Sequence, residues 1–95
     1  MQYLKLSDDK YLEIDDQDNS RVIVLSKEIK QAQDNLYAAQ QELERCRAEL
    51  VSTDGLDSKQ LEAVEQFNAG LAIEGRTQEV SELTARLSEL EQING

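Results

Sequence analysis

The strongest constraint on this chain is a stripe of apolar and small residues that runs without interruption along residues 22–50. Its members follow one another at alternating steps of three and four residues, which places them on one side of a helix in heptad register. The sequence therefore predicts a first helix over residues 20–51 that lies along a partner helix. Its predicted seam consists of Val22, Leu25, Ile29, Ala32, Leu36, Ala39, Leu43, Cys46 and Leu50.

A second helix is predicted over residues 58–95, after a turn at residues 52–57 that contains an Asp-Gly pair. Asp57 and Gln60 are spaced as a helix cap and its reciprocal partner. The heptad phase of this helix shifts between Gly70 and Gly75, and we expect the helix to continue through the shift, because two isolated glycines are weak breakers. Its seam residues are Val80, Leu83, Leu87 and Leu90.

Folding the two helices about the turn predicts an antiparallel hairpin in which facing residue numbers sum to about 109. This register places Ala39 opposite Gly70 and Ala32 near Gly75, and so predicts a waist of small residues. Two helices form a single layer and cannot enclose a core. We therefore expect a mainly α fold, a long coiled-coil-like antiparallel helical hairpin, that oligomerises into a helical bundle.

The N-terminal segment alternates as strands do and predicts a small β-hairpin within residues 1–19. A three-residue loop at residues 8–10 would pair Leu6 with Leu12, Leu4 with Ile14 and Lys5 with Glu13, which keeps each face consistent. The apolar face is then a docking surface made of Leu4, Leu6, Leu12 and Ile14. The polar link that follows fails as a calcium loop, and its residues 18–20 are expected to cap the first helix.

This hairpin segment, Tyr-Leu-Lys-Leu-Ser-Asp-Asp-Lys-Tyr-Leu-Glu-Ile at residues 3–14, resembles small accessory proteins of tailed bacteriophages. The resemblance implies a structural or an inhibitory role and assigns no functional residue. A bacterial coiled-coil adaptor is the alternative. We expect the protein in a cytoplasm, or within a virion assembled there, with no signal peptide and no membrane association.

The composition of the chain argues against catalysis. Among 95 residues there is no His and one Cys, and no glycine-rich phosphate loop occurs. Without His or further Cys a zinc site lacks ligands, and Cys46 lacks a base to activate it as a nucleophile. We predict a protein that is not an enzyme, with no cofactor, metal or small-molecule substrate, in which Cys46 fills the seam or joins two chains by a disulfide.

Charge is distributed unevenly along the chain. Residues 1–19 have a net charge of −4, residues 20–51 are neutral and residues 52–95 have −6, within a total of −10. Acidic ends repel phosphate backbones, which disfavours direct binding of nucleic acid or anionic membranes. Two functions remain: a structural protein that docks on copies of itself or on a larger assembly, and an acidic inhibitor that blocks a basic groove by mimicry.

Overall fold

A computed structural model describes residues 1–93 of the chain, and their fold is mainly helical with a sheet at the N-terminus. The elements are β1 (Gln2–Ser7), β2 (Lys10–Ile14), β3 (Ser20–Val24), α1 (Leu25–Ala48), α2 (Ser58–Gly70) and α3 (Ile73–Ile93). They form two compact units. Unit 1 contains Met1–Leu36 and the chain from Leu83 onward, and unit 2 contains Tyr37–Glu82. Within the described residues no helix is both long and apolar enough to cross a bilayer.

The sheet has three antiparallel strands in the order β1-β2-β3, so the predicted hairpin gains a third strand. The prediction of a helix from residue 20 is wrong for its first five residues, because Ser20–Val24 is β3. This segment contains three consecutive β-branched side chains, which favour an extended backbone. Val22 therefore lies on a strand and cannot be a heptad position of α1.

The predicted register of the hairpin is also wrong. Leu4 pairs with Leu12 and Tyr3 with Glu13, while Ser7 pairs with Lys10 across a two-residue turn. The register shifts between Lys5 and Ser7, so Leu6 is the extra residue of a bulge. A two-residue turn in a regular hairpin would pair residues from opposite faces, which is why a three-residue loop was predicted. The extra residue of the bulge shifts the register, so a two-residue turn is compatible with consistent faces.

The helix α1 is capped by a residue of the β1–β2 turn rather than by the predicted residues 18–20. Asp9 Oδ1 accepts a hydrogen bond from the backbone N–H of Ser26 at 2.9 Å, and its Oδ2 accepts one from Ser26 Oγ at 2.5 Å. The carbonyl of Asp9 also accepts the N–H of Leu25 at 2.8 Å. Of the residues predicted to cap α1, Asp18 and Asn19 belong to the β2–β3 loop and Ser20 begins β3. In that loop Asp15 Oδ1 accepts the backbone N–H groups of Gln17 and Asn19.

We expect Asp9→Ala to lower the free energy of unfolding by about 1–2 kcal/mol, since the cap is lost and φ at Asp9 is 62°. Asp9→Gly tolerates that φ but lacks the carboxylate, so it isolates the cap, and Asp9→Asn retains an acceptor. Urea unfolding of the three variants separates the two contributions. If Asp9→Ala and Asp9→Asn are equally stable, the cap makes no contribution.

Unit 1 is built around a core between the sheet and two helical segments. Its buried residues are Tyr11, Ile23, Leu25, Ala32 and Leu90, against which Tyr3, Ile29, Leu87 and Ile93 pack. In unit 1 the predicted stripe therefore packs against other parts of the same chain: its first turns cover the sheet and contact the last turns of α3. Sheet and helices bury one apolar face each, and together they form the two layers that a core requires.

Unit 2 contains the end of α1, a loop and α2. The predicted helix end at residue 51 is too late, because α1 ends at Ala48 and Leu50 lies exposed in the loop. The Asn68 side chain holds this loop, accepting the backbone N–H of Val51 and donating to its carbonyl, both at 3.0 Å. Asp57 and Gln60 form the predicted capping box at the start of α2.

The prediction of one continuous second helix is wrong, because α2 ends at Gly70 and α3 begins at Ile73. Between them Ala72 adopts a left-handed conformation with φ of 52°. The prediction of a small-residue waist is also wrong: a Cβ placed on Gly70 or on Gly75 meets nothing within 4 Å beyond the backbone of its own helix. Ala32, expected near Gly75, lies in the unit 1 core instead.

We expect Gly70→Ala and Ala72→Gly to be stabilising, by about 0.5–1 kcal/mol each. Alanine has the better helix propensity at the open site of Gly70, and glycine tolerates the left-handed backbone at position 72. The urea midpoint of each variant tests this. A lower midpoint for Gly70→Ala would show that a neighbouring group occupies the space beside it.

Candidate docking face and the ion network beneath it

The two faces of the sheet differ in composition: the face that meets the helices carries the buried Tyr11 and Ile23 together with a polar row, and the opposite face is mainly aliphatic. Cross-strand pairing aligns Tyr3, Glu13 and Arg21 on the face that meets the helices. It aligns Leu4, Leu12 and Val22 on the opposite face. We call this second surface the outer sheet face.

The outer sheet face is a patch of aliphatic side chains. Leu4 is 56% exposed and Val22 60% exposed, while Leu12 between them is half-buried. Ile14 and Val24 extend the patch along β2 and β3, and Leu6 at the bulge is 49% exposed. Apolar patches larger than a few hundred Å² are candidate interaction surfaces, and this face is one candidate. The predicted docking residues lie at this surface, and Val22 of β3 also belongs to it.

Beneath the sheet, Glu13 is the centre of an ion network. Its side chain is buried, with the residue 8% exposed, and its Oε1 accepts a hydrogen bond from Arg21 Nε at 3.1 Å. Arg86 Nη2 lies 2.8 Å from Glu13 Oε2. Both arginines also meet Glu28 of α1, at 3.2 Å from Arg21 and 3.7 Å from Arg86. One buried carboxylate thus joins β2, β3 and α3.

Tyr3 extends the network to the edge of the sheet. Its hydroxyl accepts a hydrogen bond from Arg86 Nη1 at 2.8 Å and donates one to Glu89 Oε1 at 3.3 Å. These contacts compensate part of the cost of placing polar groups under the sheet. The network lies on the same face of the sheet as Tyr11 and Ile23, so the face that the helices cover combines core residues with charged ones.

The network shifts two pKa values in opposite directions. Burial acts to raise the pKa of Glu13, but hydrogen bonds and charge from Arg86 and Arg21 outweigh it and hold that pKa below its ordinary value. Burial raises the pKa of Tyr3 to about 12, opposed by Arg86 and assisted by Glu13 and Glu89. Each shift favours the protonation state that the observed contacts require.

The raised pKa of Tyr3 predicts an alkaline limit to stability. Above its ordinary value of 10.0 the unfolded chain loses the phenolic proton while the folded chain keeps it until about pH 12. The contribution of Tyr3 is therefore complete below pH 10 and declines through this interval. Urea unfolding at several alkaline pH values should show a shallower decline for Tyr3→Phe. Equal slopes in the two proteins would contradict the shift.

The structure divides the predicted seam between several environments. Leu25, Ala32 and Leu90 are buried in unit 1, and Leu43 and Cys46 are buried in unit 2. The other helical members are half-buried, namely Ile29, Leu36, Ala39, Val80, Leu83 and Leu87. Val22 and Leu50 lie outside helices. Much of the stripe is thus covered within the chain itself.

Unit 2 contains a second candidate site. An open concave surface of about 560 Å³ lies beside the α2–α3 junction, lined by Leu50, Glu65, Asn68, Ala69, Ala72, Ile73 and Glu74. Cys46 is buried beside Glu42, which also meets Arg76 of α3 at 3.5 Å. No group of three or more potential metal ligands occurs in residues 1–93.

The ion network is the part of the site that sequence reasoning missed. Arg21 was assigned to a helix, so its pairing with Glu13 could not be expected, and Arg86 is distant in the sequence. The run of three β-branched residues directly after Arg21 was the sequence signal that could have identified this segment as a strand. Comparisons with protein-family models, with curated proteins and with solved structures find no match to this chain.

Proposed function

We propose that this protein is a non-enzymatic assembly protein that docks on a larger structure through its outer sheet face. The observation that carries the proposal is the exposed aliphatic row of the sheet. The chain leaves Leu4 and Val22 in solvent on the face opposite the core. Burial of aliphatic surface is the main favourable contribution to association, so a partner that covers this face gains what the isolated chain forgoes.

A virion is one setting that suits this role. The resemblance of residues 3–14 to accessory proteins of tailed bacteriophages supports it, and those residues contribute two of the three strands that form the face. The assembly would form in the cytoplasm of the producing cell. The helical stripe contributes less to docking than the sequence suggested, because its members in unit 1 pack on the sheet.

Site-specific photo-crosslinking in the producing cell tests the docking role. A photoreactive residue at Leu4 should give one defined protein adduct, identified by mass spectrometry. The same residue at Gln33, which is exposed on α1, should give none. An equal adduct pattern from the two positions, or no adduct from Leu4, would contradict docking through the outer sheet face.

A second candidate function is an acidic inhibitor that occupies a basic groove of another protein. It is supported by unit 2, in which ten acidic and four basic side chains give a net charge of −6. Such a complex is held by charge and weakens as salt screens it, whereas an apolar interface persists. Raising the salt from about 0.1 M to about 1 M shortens the screening length from about 10 Å to about 3 Å. A partner identified by crosslinking whose non-covalent complex with the chain dissociates over this range would favour the inhibitor.

A further inference from the structure

A single residue separates α2 from α3. Leu71, which follows the end of α2, has helical dihedral angles with φ of −73° and ψ of −17°, and Ile73 begins α3. Ala72 between them departs from the right-handed helix, with φ of 52°. This left-handed conformation is unfavourable for alanine, because its Cβ approaches the following carbonyl oxygen. A change of the dihedral angles at Ala72 would therefore join α2 and α3 into one helix and relieve this strain.

The start of α3 lacks hydrogen bonds that a continuous helix would give it. Ala72 holds the N-cap position, and its carbonyl accepts the backbone N–H of Arg76 at 3.0 Å, but its methyl side chain cannot accept a hydrogen bond. The N–H groups at residues 73–75 therefore have no intrahelical acceptor. In a continuous helix they would bond to the carbonyls of residues 69–71, four residues earlier. Joining the helices thus supplies an acceptor to each of these groups.

Polar contacts from two residues hold the bent form. Asn68 of α2 accepts the backbone N–H of Val51 and donates to its carbonyl, both at 3.0 Å, so α2 is tied to the loop after α1. Arg76 of α3 donates from Nε to the carbonyl of Leu71 at 2.9 Å, and a continuous helix would use that carbonyl for its own backbone. Arg76 Nη1 also lies 3.5 Å from Glu42 of α1. We call the Asn68 contacts and the Arg76 contacts the two latches.

Apolar packing contributes little to holding α2 in place. None of its residues is buried, and its largest side chain, Phe67, is 51% exposed. Beside the junction lies the open concave surface of about 560 Å³, whose lining includes Ala69, Ala72 and Ile73. A segment that buries little apolar surface opens at a low cost in free energy. The bent form therefore depends largely on the two latches.

We propose that the α2–α3 junction is a hinge between this bent form and a straight form in which residues 58–93 make one helix. The dihedral angles of Ala72 change, the two latches break, and α2 leaves the loop at Val51. The hinge is a regulatory device, because it sets whether α2 is held beside the loop after α1 or extends from α3. It lies in unit 2, whereas the outer sheet face belongs to unit 1, so the inference does not depend on docking through that face.

The thiol of Cys46, the one cysteine of the chain, measures the opening of unit 2. Cys46 belongs to this unit and is 1% exposed, so a thiol reagent reaches it only when the unit opens. Asn68→Ala should label several-fold faster than the parent chain, because one latch is lost. Gln66→Ala removes an exposed amide from the same helix without removing a latch, and should label at the parent rate. Equal rates for Asn68→Ala and Gln66→Ala would overturn the proposal.

Ala72→Gly tests the hinge residue itself. Glycine tolerates the left-handed backbone of the bent form and disfavours the interior of a straight helix, so both effects lower the population of the straight form. Together they should slow the labelling of Cys46 by about tenfold. An unchanged or faster rate in Ala72→Gly would show that Ala72 is not the hinge and would contradict the proposal.

A distance measurement distinguishes a straight helix from an unfolded α2. Spin labels at Lys59 and Glu79, both exposed, in a chain with Cys46→Ala, are about 30 Å apart along a continuous helix and closer together in a bent one. Removing both latches with Asn68→Ala and Arg76→Gln should produce the distance of about 30 Å. Adding Ala72→Gly should restore the shorter distance.

A broad distribution of distances after removal of both latches, or no population at the length of the continuous helix, would mean that the straight form does not occur. Circular dichroism verifies that each labelled variant is folded. The thiol measurement uses the native Cys46, so it tests the hinge even where Cys46→Ala lowers stability.

Discussion

Leu90→Ala should lower the free energy of unfolding by about 2–5 kcal/mol, the range for large-to-small changes at fully buried sites. Leu90 is 0% exposed and lies in the core of unit 1, where α3 meets the sheet and α1. Truncation leaves a cavity that its neighbours Ile23 and Leu25 fill only in part. Since native domains have about 5–15 kcal/mol of stability, this loss is a large fraction of the total.

Leu50→Ala is the matched control for this change. It removes the same atoms from a side chain that is 46% exposed in the loop after α1. Substitutions at exposed positions change stability by about 0.5 kcal/mol or less. Urea unfolding at one protein concentration compares the two variants. Equal losses would mean that the end of α3 does not pack on the sheet as the structure shows.

Glu13→Gln should lower the free energy of unfolding by about 3 kcal/mol, because it removes the buried carboxylate 2.8 Å from Arg86 and leaves that side chain only the more distant Glu28 at 3.7 Å. The arginine side chains are 56% and 26% exposed at Arg21 and Arg86, so water screens part of the loss at Arg21. Glu49→Gln is the control, since Glu49 pairs with Arg45 in an exposed i,i+4 contact. Exposed pairs of that kind contribute little to stability, because water and salt screen them.

The same variant should also change the response to acid. The pKa of Glu13 is lowered in the folded chain, so its contribution is complete above the ordinary value of 4.5 and is lost as the pH falls through the folded value. The parent chain should lose stability over this acid interval, and Glu13→Gln should lose less. Urea midpoints at a series of pH values measure the difference. Parallel pH profiles would show that Glu13 carries no depressed pKa.

Replacing both members of the Glu13–Arg86 pair has a different expected result from removing the carboxylate alone. When both partners of a buried ion pair are replaced by apolar residues of similar volume, stability is often unchanged or improved. A chain with Glu13→Leu and Arg86→Met should therefore recover stability relative to Glu13→Gln. The comparison also tests what the network is for. If the double variant folds but aggregates, the ion network determines which face of the sheet the helices cover.

Local features were predictable where the residues that decide them are neighbours in the chain. The stripe over residues 25–48 is helical, and the Asp57 capping box begins α2, because spacing and capping act within a few residues. The hairpin and its two faces also followed from alternation. The loop at residue 55, where Gly55 has a φ of 75°, was indicated by the Asp-Gly pair.

The tertiary structure decided the points that depend on residues far apart in sequence. Asp9 in the turn between β1 and β2 caps α1, and the sheet covers the first turns of the apolar stripe. Local spacing in the sequence could predict neither contact. Which face of the sheet is buried depends on Arg86, a residue 73 positions beyond Glu13. Alternation shows that a sheet has two different faces. The choice between them is made in three dimensions, because the core residues Tyr11 and Ile23 pack against Leu90 of α3 on one face and Arg86 of the same helix neutralises Glu13 on that face.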